Sequence, residues 1–485
     1  MTHGRTGTVI EPHQKDDPVA AAAAASAAAA ALQTGFRGNV ISAGDPGYDG
    51  ARAVWNASID RYPGVIAQCT GAADVVRAVG VARQLGMLVA IRGGGHNVAG
   101  LAVCDGGMVI DLSPMKRVHV DPVRRIARAQ PGLRWGEFDH ETQLFGLATP
   151  GGLLSTTGIA GFTLGGGFGW LSRRYGLACD NLLSADLVTA DGRVVTASPT
   201  ENSDLFWGLR GGGGNFGVVT AFDYRLHEVG PTILGGLVVH RLDDAALVLR
   251  ELREYFVSAP QNVMFNCILR IAPPAPFLPD ALHGKHVLMV GMCHVGPIDE
   301  GERLLQPVRL FNDPVVDIVA PRPYTALQSF FDSGWVAGFQ NYWKAEYISL
   351  ADAAVDAIVE HAASITSPLS DIKIGGLGGG AIGYVAEDDS AYAHRGAPFL
   401  LNINARWAER GDGDEGHVAW AQGLWSAVRP ASFGGVYVNF LGQEGQDRVR
   451  AAYGAATYER LRRLKRAYDP DNFFRVNQNI KPSPA

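Results

Sequence analysis

The chain has 485 residues, 47% of them hydrophobic and 19% charged, which suits a globular protein of two or three domains and excludes a disordered one. A net charge of −6, from 42 basic and 48 acidic side chains, argues against nucleic acid as the main partner. Glycine is the anomaly: 61 residues, in tight clusters without a collagen-like period, is nearly double the usual ~7% and points to backbone lying close against a ligand.

The N-terminal segment Val19–Leu32 is nearly all alanine and follows Lys15, Asp16 and Asp17. It lacks a clean basic stretch and a twin arginine and is only weakly apolar. Residues 1–35 therefore read as a disordered or loosely helical tail and not a signal peptide, and the expected location is cytoplasmic. No other run reaches the ~18 apolar residues of a membrane span, so no membrane partner is expected. Cys69, Cys104, Cys179, Cys267 and Cys293 are odd in number and form no CxxC pair. They predict buried thiols, without a disulfide framework or a zinc site.

From about Phe36, short β-branched runs alternate with helices. Val65–Gln68 has strand character, Ala72–Leu85 carries apolar residues at helical spacing, and Met87–Ile91 is a strand ending on glycines. Gly107–Asp111, Val118–Asp121 and Arg125–Ala129 continue the strands, Trp135–Gly146 is a helix, and Val218–Tyr224 is a further strand. This predicts mixed α/β layers. From about Pro231 longer strands (Gly235–His240, His286–His294, Phe399–Trp407) interleave with the amphipathic helices Asp243–Tyr255 and Leu350–Ala363. That pattern predicts an α+β unit on an antiparallel sheet. A last helix, Gly445–Ala467, stops before Pro470.

Three glycine clusters carry the chemistry. Arg92-Gly93-Gly94-Gly95-His96-Asn97 follows a strand directly. Successive glycines let backbone N–H groups converge on an anion such as phosphate, and a bare surface turn has no use for the histidine behind them. No Gly-Lys-Ser/Thr follows, so this is not a P-loop. The second cluster is Gly158–Gly169, and the third, Arg210–Gly217, opens onto a strand. Three such loops imply a long ligand of dinucleotide size threading along the backbone.

Together with Tyr175–Asn181 and the tail Tyr468–Ile480, these motifs resemble the berberine bridge enzyme-like family of FAD-linked oxidases, of the vanillyl-alcohol oxidase type. The likeness runs from about Phe36 to Pro482. It implies an α+β fold: a two-part FAD-binding domain plus a substrate domain with an antiparallel sheet flanked by helices. The expected division is residues 36–229 for the FAD-binding domain, 230–439 for the substrate domain, and 440–485 returning to the first. By position, the resemblance implies that His96 is joined to the 8α-methyl group of the flavin. It further implies that Arg92, Gly93, Gly94, Gly95, Asn97, Thr157, Gly158, Gly161, Gly165, Gly166, Gly167, Gly217, Val219, Asn439 and Asn477 hold the cofactor.

Many relatives carry a second link through a cysteine where this chain has Leu154, so the expectation is FAD held by one covalent link through His96. Phe162 and Phe168 replace a histidine and a tyrosine common in relatives, making the flavin pocket more apolar. Thr157 stands where relatives guard oxygen access, and its valine-like shape favours an oxidase.

In the second domain, Gly435–Phe440 resembles the family's Tyr-x-Asn strand over the flavin. Tyr437 is the candidate base, as a phenol of lowered pKa taking the substrate's proton, and Asn439 orients the tail or the flavin. Alternation along Phe399–Trp407 puts Leu400, Asn402, Asn404 and Arg406 on one face. Asn402 matches a polar active-site position, and Leu400 leaves no carboxylate base there. The aromatics Tyr324, Phe330, Phe331, Trp335, Phe339, Tyr342, Trp343 and Tyr347 fit either the wall of a pocket for a flat or hydrophobic substrate or core, and their roughly helical spacing favours core. His394-Arg395 and Lys344/Glu346 read as solvated. The acidic turn Arg410–Glu415, with Asp412, lacks a twelve-residue calcium loop.

The sequence thus predicts an FAD-dependent oxidase with Tyr437 and Asn402 as catalytic residues and no metal. It takes hydride from a C–H next to O or N of a secondary-metabolite alcohol, an amine heterocycle or a sugar, with dioxygen as acceptor and hydrogen peroxide as product. A flavin dehydrogenase using another acceptor, and a binding protein of this fold with reduced catalysis, are the alternatives. No oligomeric state is signalled.

Overall fold

The computed structural model describes residues 18–411 and 413–484; Lys15, Asp16, Asp17 and Asp412 lie outside the described residues. Three β-branched runs, Val65–Gln68, Met108–Asp111 and Val89–Arg92, pair in parallel in that order, with Asn39–Ser42 antiparallel at the edge. The helix Ala72–Gln84 buries Val75, Ala78, Val79 and Ala82, one stripe at helical spacing. A second, antiparallel sheet runs Val118–Asp121, Ile126–Ala129, Val218–Arg225, Leu182–Val188, Val194–Ala197.

The third sheet has eight strands. Its path is Val316–Asp317, Thr232–Arg241, His286–His294, Val263–Ile271, Asp371–Gly376, Phe399–Trp407, Gln340–Ile348, with Ala320–Pro323 also paired to Thr232–Arg241. Alternation sorts its two faces. Ile372, Ile374, Leu401 and Ile403 pack with Leu249, Val355, Ile358, Trp420 and Leu424 of the covering helices. Asp371, Lys373, Asn402 and Asn404 point the other way, toward the glycine-rich half.

Several elements depart from the sequence expectation. The alanine-rich segment is a helix, Pro18–Leu32, with Ala25, Ala28 and Leu32 buried. Its methyl side chains allow the close approach: a Cβ on Gly64 would stand 2.7 Å from Ala25 Cβ, and Arg77 donates to the Ala31 carbonyl at 2.7 Å. The last helix is two, Gln446–Tyr453 and Ala455–Tyr468, broken at Gly454 where φ is +71°. Gly435–Phe440 is no strand but extended chain ending in a 3-10 turn, Val438–Phe440. The aromatic stretch is not one helix, since Tyr342, Trp343 and Tyr347 lie on the strand Gln340–Ile348. All five cysteines are buried thiols. No helix among the described residues is long and apolar enough to cross a membrane.

The seam between the glycine-rich half and the eight-stranded sheet contains a buried acid. Asp139, on the helix Trp135–Gln143, accepts from Gln328 Nε2 at 2.9 Å across the seam. Asp139 Oδ1 and Gln328 Oε1 are both buried without a partner, which suits a protonated carboxyl donating back to Gln328. Burial pushes the Asp139 pKa up to about 7, the hydrogen bond from Gln328 opposing it. Below the unfolded carboxyl value of ~3.9 both states are protonated; between there and about 7 the folded state holds the extra proton, so stability falls as pH rises through that window. Asp139→Asn can form the reciprocal amide pair at any pH. It should raise stability at pH 8 by on the order of 4 kcal/mol, about three pKa units at ~1.4 kcal/mol each, with the gain disappearing near pH 4. Thermal melts of both proteins across that range check this, and equal melts at pH 8 would contradict it.

Candidate active site

Two glycine clusters meet backbone to backbone. A Cβ on Gly94 would stand 2.6 Å from Gly158 Cα, and one on Gly158 would stand 2.7 Å from Gly94 Cα. Gly95 has φ +68°, a left-handed turn that favours glycine. The N–H groups of Gly94, Gly95, His96 and Asn97 find no acceptor among the described residues. Nearby, the C-terminal tail folds onto the third cluster: Asn477 Nδ2 donates to the Gly214 carbonyl at 3.2 Å, and Asn215 Nδ2 to the Gln478 carbonyl at 3.2 Å. These segments wall one cavity together with the polar face of the large sheet.

His96 faces that cavity. Its ring stacks on Trp55, centroids 5.0 Å apart, and Trp55 Nε1 donates to the Trp335 carbonyl across the seam. Thr156 Oγ1 lies 3.3 Å from Nε2, leaving Nδ1 without a partner among the described residues. Burial, with Arg134 and Lys373 adding to it, pushes the His96 pKa down to about 3. The imidazole is neutral, hence nucleophilic, throughout the physiological range.

Across the cavity, the Tyr437 hydroxyl oxygen accepts from the Gly167 N–H at 3.0 Å and from Asn439 Nδ2 at 2.8 Å. Two donors would lower a phenol's pKa. Here burial dominates and Tyr392 adds to it, so the group is held well above its ordinary value. That direction is opposite to the lowered value expected; the phenol oxygen accepts from two donors and its own proton is left to donate. Asn439, expected to orient the tail or the flavin, holds that phenol and ties it to the Phe162 carbonyl at 3.1 Å.

Gly93, Gly94, Gly95, His96, Asn97, Thr157, Gly158, Gly161, Gly217, Val219, Asn402, Tyr437, Asn439 and Asn477 all line the cavity. Arg92, Gly165, Gly166 and Gly167 stand behind the wall. Arg92 is committed to a buried two-point pair with Asp111, at 2.7 and 3.1 Å. At Gly165 and Gly166 added Cβ atoms would run into Asn439 and Tyr392, so these glycines admit the Tyr437 support. The cluster expected as a loop is partly helix, Ile159–Leu164. Leu154, Phe162, Phe168 and Leu400 are in the lining, and no cysteine is.

The residues expected to be solvated are not. Arg395 is buried on Asp180, at 2.7 and 3.0 Å. Lys344 is buried on Glu444. Glu346, fully buried, accepts from Trp425 Nε1 at 2.8 Å, Arg448 at 3.2 Å and Ser432 Oγ. His394 Nε2 donates to the Ala451 carbonyl at 2.9 Å.

Residues 63–198 match the model of an FAD binding domain, and residues 436–481 that of berberine and berberine-like proteins. (R)-6-hydroxynicotine oxidase of Paenarthrobacter nicotinovorans is 31% identical over 469 residues, 93% of this chain and 98% of that protein. An uncharacterised FAD-linked oxidoreductase of Bacillus subtilis (strain 168) is 31% identical over 461 residues, again 93% and 98%. The chain is a berberine bridge enzyme-like FAD-linked oxidoreductase. The solved structure of 6-hydroxy-D-nicotine oxidase from Arthrobacter nicotinovorans superimposes with a TM-score of 0.84 at 30% identity, covering 92% of this flavoenzyme and 98% of that chain. Glucooligosaccharide oxidase from Acremonium strictum, at 23% identity and TM-score 0.84 over 95% and 100% of the chains, shares the fold.

FAD is the cofactor of this oxidoreductase, and the residues present fit it. Unclaimed N–H groups at Gly94–Asn97 suit a pyrophosphate. Asn477 Oδ1, on the cavity lining, is a buried acceptor without a donor, able to receive a hydroxyl or amino group. Sequence reasoning missed Trp55, Asn266 and Lys373, while Trp343, favoured there as core, lines the cavity. The strand alternation of Asp371–Gly376 was the available signal for Lys373. Because Gly94 and Gly158 touch, Gly94→Ala should part the two loops and cut bound flavin several-fold while the large sheet still folds. The flavin-to-protein absorbance ratio checks this, and wild-type flavin content would contradict it.

Proposed function

We propose that this flavoenzyme is an oxidase that removes a hydride from a C–H beside O or N of a small organic substrate and passes the electrons to dioxygen, giving hydrogen peroxide. The observation that carries this reading is a neutral, partner-free imidazole nitrogen at His96 facing the same cavity as a doubly supported phenol at Tyr437. Bound FAD supplies the two-electron acceptor.

His96, with Nδ1 free among the described residues, would hold the cofactor in a single covalent link, and Leu154 offers no second point of attachment. Gly94–Asn97 and Asn477 hold the rest of it. Tyr437 would donate its O–H to the substrate's heteroatom, Asn402 Oδ1, buried and lacking a donor, would accept a hydrogen bond from the heteroatom's own O–H or N–H, and the proton released as the hydride departs would pass to solvent water. The pair sets which C–H faces the acceptor. Leu400, Phe168, Phe440 and Trp343 in the lining exclude water. Thr157, also in the lining, leaves room for dioxygen. Relatives named as oxidases of 6-hydroxynicotine and of xylooligosaccharide, the latter 27% identical and from Thermothelomyces thermophilus, support an amine heterocycle, an alcohol or a sugar as substrate class.

Acid precipitation should give a yellow pellet whose protein mass carries one FAD, and His96→Ala should lose both colour and added mass. A colourless wild-type pellet would remove the covalent link. Tyr437→Phe should slow anaerobic flavin reduction by about 100–1000-fold, the scale of a lost positioned donor, with little change in flavin content. Unchanged reduction would take Tyr437 out of the mechanism. Reduced wild-type enzyme that stays bleached in air would contradict the oxidase assignment.

A further inference from the structure

The sheet wall of the cavity carries an uncompensated positive charge. Three register rows cross its central strands: Arg270–Asp371–Asn404, Ile268–Lys373–Asn402 and Asn266–Gly375–Leu400. Lys373 sits in the middle row and reaches into the cavity. The nearest carboxylate oxygen, Asp371 Oδ1, is 3.9 Å from Nζ, beyond hydrogen-bond distance. Asp371 is already occupied, accepting from Trp335 Nε1 at 3.1 Å and Asn404 Nδ2 at 2.6 Å.

Among the described residues Asp371 is also the one carboxylate acting on Arg270 and Arg406, whose guanidinium groups are spent on backbone carbonyls. Three cations therefore share one anion in a buried region. The Trp335 ring, 4.1 Å from Nζ, steadies the ammonium but takes none of its N–H donors. Beside it, Asn266 is 4% exposed, lines the cavity, and has Nδ2 without an acceptor. Gly375, between Asn266 and Leu400 in its register row, has no side chain of its own, and the Phe168 ring packs over it, a Cβ there standing 3.3 Å from that ring. A buried amide donor without an acceptor and a cation with only a 3.9 Å, shared counter-ion are costly unless a ligand satisfies them.

We propose that the substrate carries a carboxylate, and that Lys373, with Asn266 beside it, receives that group at the sheet wall of the cavity. Burial, with Arg406 and Arg270 adding to it, pushes the Lys373 pKa down to about 8 against the pull of Asp371, and an anion bound there would pull it back up. The apolar lining from Leu400, Phe168 and Trp343 suits a carboxylate on a flat or hydrophobic body. The assignment rests on the oxidase reading only in taking this cavity for the substrate site.

The test compares benzoate with benzamide, matched in shape, on the purified holoenzyme, by flavin absorbance perturbation and by calorimetry. Benzoate should bind at least about tenfold tighter. Lys373→Met should bring benzoate down to the benzamide level and leave benzamide unchanged, and Lys373→Arg should keep most of the preference. Lys373→Gln serves if the methionine variant fails to fold, with flavin content and melting temperature as folding controls. Equal binding of the two probes, no benzoate binding at all, or a preference that survives loss of the lysine overturns the proposal. Yellow enzyme that no substrate reduces defeats the oxidase reading while leaving a calorimetric benzoate preference standing; the opposite outcome defeats the carboxylate assignment alone.

Discussion

The contact between the backbones of Gly94 and Gly158 is the constraint on which the site depends. Each Cα occupies the space a Cβ on the other would need. Holding them together sets the His96 turn against the start of the Ile159–Leu164 helix, and so places the imidazole, the unclaimed N–H groups and Thr157 around one cavity. The glycines just beyond that helix do the same for the opposite wall. With Asn439 and Tyr392 filling the volume above Gly165 and Gly166, the Gly167 N–H reaches the Tyr437 oxygen. Small residues here are spent on letting separate chain segments approach, more than on flexibility.

The two halves of the molecule are joined by buried polar contacts. Asp139 meets Gln328, Ser155 meets Asp332, Trp55 reaches the Trp335 carbonyl, and Arg395 is buried on Asp180. Such contacts are directional and expensive to leave unmade, so they specify how the large sheet sits over the glycine clusters. Trp55 has a double part: it stacks on His96 and anchors across the seam. The walls that result differ in kind. One is backbone and apolar side chain; the other presents amides and an ammonium in register rows.

Much of the architecture was legible in the sequence because it rests on local pattern. Val65–Gln68 and His286–His294 are strands with the bounds their β-branched runs indicate, and the alternation of Phe399–Trp407 sorted Asn402, Asn404 and Arg406 correctly to one face. The alanine-rich segment misled because alanine has helical propensity but too little apolar surface to announce burial. Its docking depends on Gly64 making room. The break at Gly454 was overlooked because a single glycine in a helical pattern is tolerated as often as it terminates.

By itself the sequence determined where the backbone is bare of side chains, that an imidazole stands directly after the first bare stretch, and that no cysteine is placed to join it. Those are properties of neighbours along the chain. Only the tertiary structure decided which charges are paired and which protons are held: Lys344, Glu346 and Arg395 as buried partners, Tyr437 as a neutral phenol, Asp139 as a strained acid, Lys373 as a cation short of an anion. Desolvation and pairing depend on what packs against a group from distant segments, and one-dimensional order carries no record of that.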